Sequence, residues 1–338
     1  MYPQTDEVPV KISKMLFSAL MMALPWMAPH ARDVDDSQKA SYAAMTASDA
    51  TVSTVRSHIS GLFFGGTSFY RLSQTPAGDK AASWDEGEIS YSITPTFVSV
   101  NNQLDPLHNK GTVGVMVLGV EHFDEIDTVT GITVSLDILR VTSTEISSSG
   151  AAPVDTSVSG SGLTIAPYVA KQLESGWLAD ASIGVGGITL ETNTSGTTGK
   201  PRSSRMFASG GLTKVQGLAD DTILMTTKLA VSYSSDSVKT FTLSDNSTVA
   251  ASKTGLSQFK GSIGLSWPSG DGTPYIDGGI VVNSLNATGG GSVKPKEHSV
   301  TYIGRVGYRV IDGDLYSDFS VQVERDKSRL QLYVGRRF

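Results

Sequence analysis

The chain contains no cysteine, which excludes a disulfide framework, thiolate metal ligands and thiol catalysis in one step. Charge is scarce: 18% of its 338 residues are Asp, Glu, Lys or Arg, against about 25% in an ordinary soluble domain. A basic excess is also missing, because the formal net charge is -6, so nucleic acid is not an expected partner. There is no apolar run long enough to cross a membrane as a helix. The one candidate, Met15 to Leu24, offers about half of the roughly 20 residues required. It follows Lys11 and Lys14 and precedes Pro25, Ala28 and Ala31, the order of a secretory signal peptide. Residues 1–31 are therefore expected to be removed at Ala31 after export.

Serine, threonine and glycine take the place of charge. Residues 32–86 are expected to form a helix and a linker. Ala40, Ala44, Ala47, Val52, Val55 and Ile59 recur at helical spacing between Asp35 and Leu62, which predicts one weakly amphipathic helix. Gly65, Gly66, Pro76 and Gly78 then break the pattern, with a short strand expected at Leu62 to Tyr70.

From Gly87 onward the pattern changes to period two. Twelve alternating segments are predicted: Glu88 to Asn101, Thr112 to Phe123, Ile132 to Thr144, Gly162 to Gln172, Trp177 to Glu191, Ser204 to Val215, Thr222 to Ser234, Gln258 to Trp267, Thr273 to Ser284, Val300 to Ile311, Leu315 to Arg325 and Arg329 to Phe338. Most are slightly longer than the 9 to 11 or so residues with which a tilted strand crosses a bilayer. Their connections alternate in length. Leu173 to Gly176, Pro268 to Gly272 and Asp312 to Asp314 read as tight turns, whereas Glu145 to Ser161, Thr192 to Ser203, Asp236 to Leu256 and Leu285 to Ser299 read as long loops. Such asymmetry is that of an outer-membrane barrel with short periplasmic turns and long outer loops, and an even strand number puts both barrel ends in the periplasm.

The two faces of these segments differ in kind. Asp180, Lys228, Lys260, Asp277, Arg305, Arg309, Asp318, Glu324 and Arg329 fall opposite apolar residues and are candidates for lining the lumen. Trp177, Trp267, Tyr308 and Phe338 share the apolar register at short-turn ends, and Tyr233 and Tyr302 share it near long-loop ends. Two aromatic girdles at the membrane interfaces are therefore expected. Arg336 sits on the apolar side, close enough to the chain end to reach the headgroups. The fold class is all-β, a twelve-stranded antiparallel transmembrane β-barrel over residues 87–338, preceded by an N-terminal helix. Its least regular strand is the first, which Pro95 interrupts.

Ser161 to Gly187, SGLTIAPYVAKQLESGWLADASIGVGG, places a glycine-led strand, a short turn, Gly-Trp and a strand of small alternating residues in succession. Together with Val113 to Glu121, VGVMVLGVE, and the ending LQLYVGRRF, this stretch resembles the autotransporter β-domain family of bacterial outer-membrane barrels. The resemblance spans Gly87 to Phe338. It implies that a helix before the barrel, here Asp35 to Leu62, occupies the pore. It further implies that outer-membrane lipids, the outer-membrane barrel assembly machinery and periplasmic chaperones are partners. A cut at Ala31 leaves no room for a sizeable passenger, so a surface or structural barrel with a plugged pore is expected. A passive porin-like channel and a barrel-borne hydrolase are the alternatives.

Catalytic constellations are sparse, and no enzyme activity, cofactor or metal is expected. Among five histidines, His30 lies in the signal region and His58 in the predicted helix. His122 falls at a periplasmic strand end, and His108 and His298 in outer loops. His298 with Ser299, and Asp105 with His108, are the nearest approaches to a nucleophile and base or a protease-like pair. Adjacent residues of an extended chain point to opposite faces, which counts against the former. Asp124, Glu125 and Asp127 read as a solvated acidic turn.

Overall fold

The computed structural model describes residues 35–64, 89–104, 107–125, 128–145, 153–173, 176–218, 222–269, 272–289, 297–312 and 315–337. The expected signal peptide, residues 32–34 and 65–86 of the expected helix and linker, residues 87 and 88 of the expected barrel, Asp105 and Phe338 lie outside the described residues.

Twelve long strands make one closed antiparallel barrel. They are β1 (Ile89–Leu104), β2 (Leu107–Glu125), β3 (Thr128–Glu145), β4 (Val154–Gln172), β5 (Trp177–Thr194), β6 (Arg202–Leu218), β7 (Ile223–Val238), β8 (Ser252–Ser266), β9 (Gly272–Gly289), β10 (Glu297–Asp312), β11 (Leu315–Glu324) and β12 (Lys327–Arg337). Each strand pairs with its sequence neighbours, and β1 pairs with β12, so the sheet has no free edge. A strand at Thr197–Gly199 and a small ribbon of Phe241–Thr242 with Thr248–Val249 decorate the end where the loops are long.

Period-two alternation decides which side chains enter. In β3, Thr133, Ser135, Asp137, Leu139, Val141 and Ser143 are buried inward, while Ile132, Leu136 and Ile138 are exposed outward. The outward face of β5 carries Ile183 and Val185, 64% and 66% exposed, and that of β10 carries Val300, Tyr302, Val306 and Tyr308. Arg336 also faces outward, opposite Tyr91 of β1.

The strands are longer than their apolar stretches. Segments expected as outer loops are partly strand: β4 begins at Val154, β5 runs to Thr194, β7 to Val238, β8 begins at Ser252 and β9 runs to Gly289. The cause is compositional, since the apolar alternation ends where lipid contact would end. Ser and Thr then carry the ladder onward, with β-branched Thr well suited to it. Strand β1 is continuous through Pro95, and its ladder to β12 lacks rungs at Thr94 and Pro95. In β4 the ladder to β5 likewise skips Ala166 and Pro167. Proline has no N–H to give, so it is accommodated where a rung is missing.

Helix α1 (Asp36–Phe64) lies inside the barrel. Asp35 caps it, its Oδ1 accepting from Gln38 N at 3.0 Å and Ser37 Oγ at 2.6 Å, which satisfies an otherwise orphaned N–H. The expected strand at Leu62 to Tyr70 is helix as far as Phe64, and its remainder lies outside the described residues. Weak amphipathicity now has a physical reason. A helix enclosed on all sides has no solvent face, and its polar residues meet a polar wall. Ala40, Ala43, Ala44, Ala47 and Ala50 let the wall approach closely, with Val55, Ile59, Val98, Val115 and Val117 completing an apolar contact.

Because the chain has no cysteine, the closure register is open to clean cross-linking. Ser99 and Ser328 are directly opposed across β1 and β12. The pair Ser99→Cys, Ser328→Cys is expected to oxidise to a disulfide visible as altered mobility on unheated gels, and Ser99→Cys with Lys327→Cys is not. Equal cross-linking of both pairs is incompatible with this register.

Candidate functional site in the barrel lumen

Polar and charged contacts tie α1 to the wall at successive levels along its length. At the long-loop end, Lys39 Nζ pairs with Glu145 Oε2 at 3.0 Å. Thr194 Oγ1 donates to Asp36 Oδ1 at 3.1 Å and Ser252 Oγ to the carbonyl of Ser37 at 2.7 Å. Ser41 and Thr254 hydroxyls are hydrogen-bonded to each other. The first turns of α1 are therefore held by β3, β5 and β8, in the parts of those strands beyond the apolar belt.

One turn deeper is Arg205 of β6. Its Nη1 donates to Asp137 Oδ1 at 2.7 Å, its Nε to Asp236 Oδ1 at 3.4 Å and its Nη2 to the carbonyl of Ala44 at 3.3 Å. Ser48 Oγ donates to Asp236 Oδ2 at 2.5 Å. One guanidinium thus joins β3, β6, β7 and the helix, with its donors directed to two carboxylates and a helix carbonyl. Asp236 was expected to open a long loop, yet it is a buried strand residue at this junction.

Asp49 next pairs with Lys327 of β12 at 2.7 Å, and Ser53 accepts from Lys260 Nζ at 3.0 Å. Arg56 then pairs with Asp180 at 3.6 Å and donates to the Gly210 carbonyl at 2.5 Å. A Cβ on Gly211 would stand 2.1 Å from Arg56 Nη2 and 2.7 Å from Asp180 Oδ2, so the glycine leaves room for this ion pair against the strand.

At the short-turn end His58 makes the last attachment. Its Nδ1 meets Thr94 Oγ1 at 3.0 Å, and its Nε2 meets Glu121 Oε1 at 2.9 Å and Ser92 Oγ at 3.1 Å. Tyr168 and Tyr333 stand edge-on to the imidazole, and the ring seats over Gly119, where a Cβ would come within 2.2 Å of Nε2. A serine, a histidine and a carboxylate are assembled, but not as a relay. Ser92 and Glu121 share one ring nitrogen, whereas a base and its orienting acid occupy opposite nitrogens. His58, Thr94 and Glu121 are each 0% exposed.

The expected lumen residues all lie on the inward register. Asp180, Lys260 and Arg329 take the places described above and below, and Lys228 pairs with Asp277 at 3.4 Å. Arg305 and Arg309 flank Asp318 at 3.6 and 3.0 Å, with the Tyr275 hydroxyl donating to Asp318 at 2.8 Å. Arg309 also stacks on the Tyr275 ring, 4.1 Å from its centroid. Glu324 accepts from Gln322 Nε2 at 2.6 Å. Of the aromatics assigned to the interfaces, Tyr233, Trp267, Tyr302 and Tyr308 are exposed outward and Trp177 is half-buried under Lys214.

His298 and Ser299 do not assemble as a pair, and Asp105, the candidate partner of His108, lies outside the described residues. His298 and Ser299 begin β10 rather than a loop, and Ser299 Oγ meets Asn283 on the inner face while His298 is exposed. His108 likewise lies in β2 and bonds Asn101 at 2.8 Å. Residues passed over in the sequence include Asp137, Arg205, Asp236, Glu121 and His58. The first four obey the same period-two rule as the named lumen residues. His58 needed the helix to be set inside the barrel.

Removing one member of a buried charge cluster leaves the others uncompensated. Arg205→Leu is expected to cost about 3 to 5 kcal/mol of folding stability. Adding Asp137→Asn and Asp236→Asn should restore most of it. Urea unfolding in lipid vesicles measures both, and a loss under about 1 kcal/mol for the single change would remove Arg205 from its central role.

No family model matches the chain, and no curated protein matches it in sequence. Solved structures do match in fold. The translocator domain of the autotransporter NalP from Neisseria meningitidis aligns with a TM-score of 0.63 at 12% identity, covering 88% of this chain and 99% of that one. The β domain of the Bordetella autotransporter BrkA aligns with a TM-score of 0.50 at 15% identity, covering 75% and 99%. The transport unit of AIDA-I from Escherichia coli gives 0.50 at 11% identity, covering 82% and 96%. The chain has the barrel fold of autotransporter translocator domains.

Proposed function

We propose that this protein is an outer-membrane barrel of autotransporter type whose pore is plugged by its own helix, and that it acts at the cell surface as a structural or display element. The observation that carries the reading is the course of α1. It enters where Asp36 meets Thr194 at the long-loop end and reaches Thr94 and Glu121 near the short-turn end. On this reading the start of α1 faces the outer surface and both barrel ends lie in the periplasm. The girdle residues Trp177, Trp267, Tyr308 and Phe338 mark one interface, Tyr233 and Tyr302 the other, and the lumen charges hold the helix.

Support for the bilayer comes from the outward faces. Ile183, Val185, Val231, Phe259, Ile263, Val306 and Phe319 are all exposed around the barrel, a continuous apolar belt that water would penalise and lipid would not. Lipids, the assembly machinery and periplasmic chaperones are the partners this location brings. A hydrolase gains no support from His298 and Ser299, whose side chains diverge, and a porin-like pathway would have to pass beside α1.

Two measurements test the reading. In planar bilayers the parent protein is expected to stay closed, and a variant lacking residues 32–86 to conduct in steady steps; an unchanged closed state in the variant would remove the plug. Val185→Arg, in the middle of the apolar belt, is expected to lower folding stability in vesicles by about 2 to 4 kcal/mol. A change near zero would mean that this face meets water.

A further inference from the structure

Helix α1 does not fill the lumen evenly. Between it and the wall from β6 to β12 lies a cavity of about 120 Å³, room for several waters or for one small ion with part of its hydration. Its charged lining is Arg56, Lys228, Lys260, Arg305 and Arg329 against the single carboxylate of Asp277. In a chain of net charge -6, this concentration of cations is local.

Four nearby acids are already paired with cations. Asp180 takes Arg56, Asp277 takes Lys228, Asp318 takes Arg305 and Arg309, and Asp49 takes Lys327. Glu324 accepts only from the neutral amide of Gln322, so its charge stands as a counter-charge to the cations around it. Two cations, Lys260 and Arg329, form no ion pair among the described residues, although Asp49 attracts both and Glu324 attracts Lys260 through space. Lys260 donates to the neutral Ser53 hydroxyl. Arg329 is 7% exposed, and its buried Nε has no hydrogen-bond partner. A buried charged donor left unmade is costly, so such a group is expected to have an acceptor that is not part of the chain. Besides Arg56, which is paired with Asp180, the helix offers the cavity hydroxyls, with Ser53, Ser57 and Ser60 lining it at spacings that share one helical face.

We propose that this cavity binds one small oxyanion of the phosphate or sulfate class, held by Arg329 and Lys260 from the wall and by serine hydroxyls from α1. Several oxygens on one centre match donors converging from both sides, and a guanidinium suits that geometry. The ion bridges helix and wall beside β9 to β11, the strands that α1 touches least. The strand wall separates the cavity from lipid, so the source is a free ion from the aqueous phase and not a headgroup.

Calorimetric titration of sodium sulfate and sodium phosphate into the folded full-length protein in detergent, at constant ionic strength set with chloride, tests this directly. Saturable binding to one site is expected, with a rise in melting temperature that chloride alone does not produce. Arg329→Gln is expected to weaken binding by about tenfold, the loss of one charge-assisted hydrogen bond, and Lys260→Gln to weaken it separately. Arg336→Gln, on the outer wall, leaves binding unchanged. Heat-modifiable migration reports whether each variant folds, and Lys260→Gln carries the test if Arg329→Gln does not. Absence of saturable binding to the parent, or equal binding by the parent and folded lumen variants, overturns the proposal.

Discussion

At the depth of an apolar belt no water is present to complete a strand, so every backbone amide must find its partner within the chain. The ladder between β1 and β12 meets that requirement for the two strands that would otherwise be edges. Once the wall is closed, alternation sends half of its side chains inward. An eight-stranded barrel is about filled by those side chains, but the diameter grows with strand number. Twelve strands leave space for a helix about 10 Å across, and α1 takes it. The charged lumen, the glycines under His58 and Arg56, and the capping of the helix at Asp35 all follow from that one closure.

The contacts between helix and wall are chiefly polar, and their role is positional. Buried ion pairs are weak evidence for net stability, because desolvation offsets much of the Coulomb attraction. Their geometry is exacting all the same. Lys39, Ser48, Asp49, Arg56 and His58 each meet a partner on a different part of the wall. Sliding α1 by one turn, about 5.4 Å, would strand all of them at once. The register of the helix is therefore specified by many modest interactions that fail together, rather than by one strong one.

Much of this architecture was legible because a wall with lipid on one side and a polar lumen on the other writes a period of two into every strand. Trp177 with Ile183 and Val185, or Asp318 with Gln322 and Glu324, could be assigned to faces without coordinates. The ends of the strands were less legible. Beyond the apolar belt both faces of β4, β5, β8 and β9 are rich in Ser, Thr and Gly, so the alternation that reveals a strand is lost while the ladder continues. Partners across the lumen were not legible at all. Arg205 and Asp137 lie on strands that are not neighbours in the sheet, and Asp236 reached them from a stretch read as loop. Period assigns a side chain to a face, but only the diameter of the barrel and the placement of the helix decide which inward groups meet.

The composition of α1 carries a last consequence. Its buried surface is built from Ala, Ser and Thr with a few larger apolar residues such as Val55 and Ile59, so little apolar area is gained when it docks. Water can satisfy most of the groups it would expose on leaving, and the wall would keep its own strand ladders. Helix and barrel are therefore bound by different forces: the barrel by backbone pairing and its outer apolar face, the helix by charge and hydroxyl contacts that solvent can replace. Such an insert can be essential to the state of the lumen without being essential to the fold around it. Conversely, on the flank where α1 presents Ser53, Ser57 and Ser60 beside Arg56, cations outnumber carboxylates in the cavity lining, so small residues that permit close packing on one flank leave a net positive charge on the other.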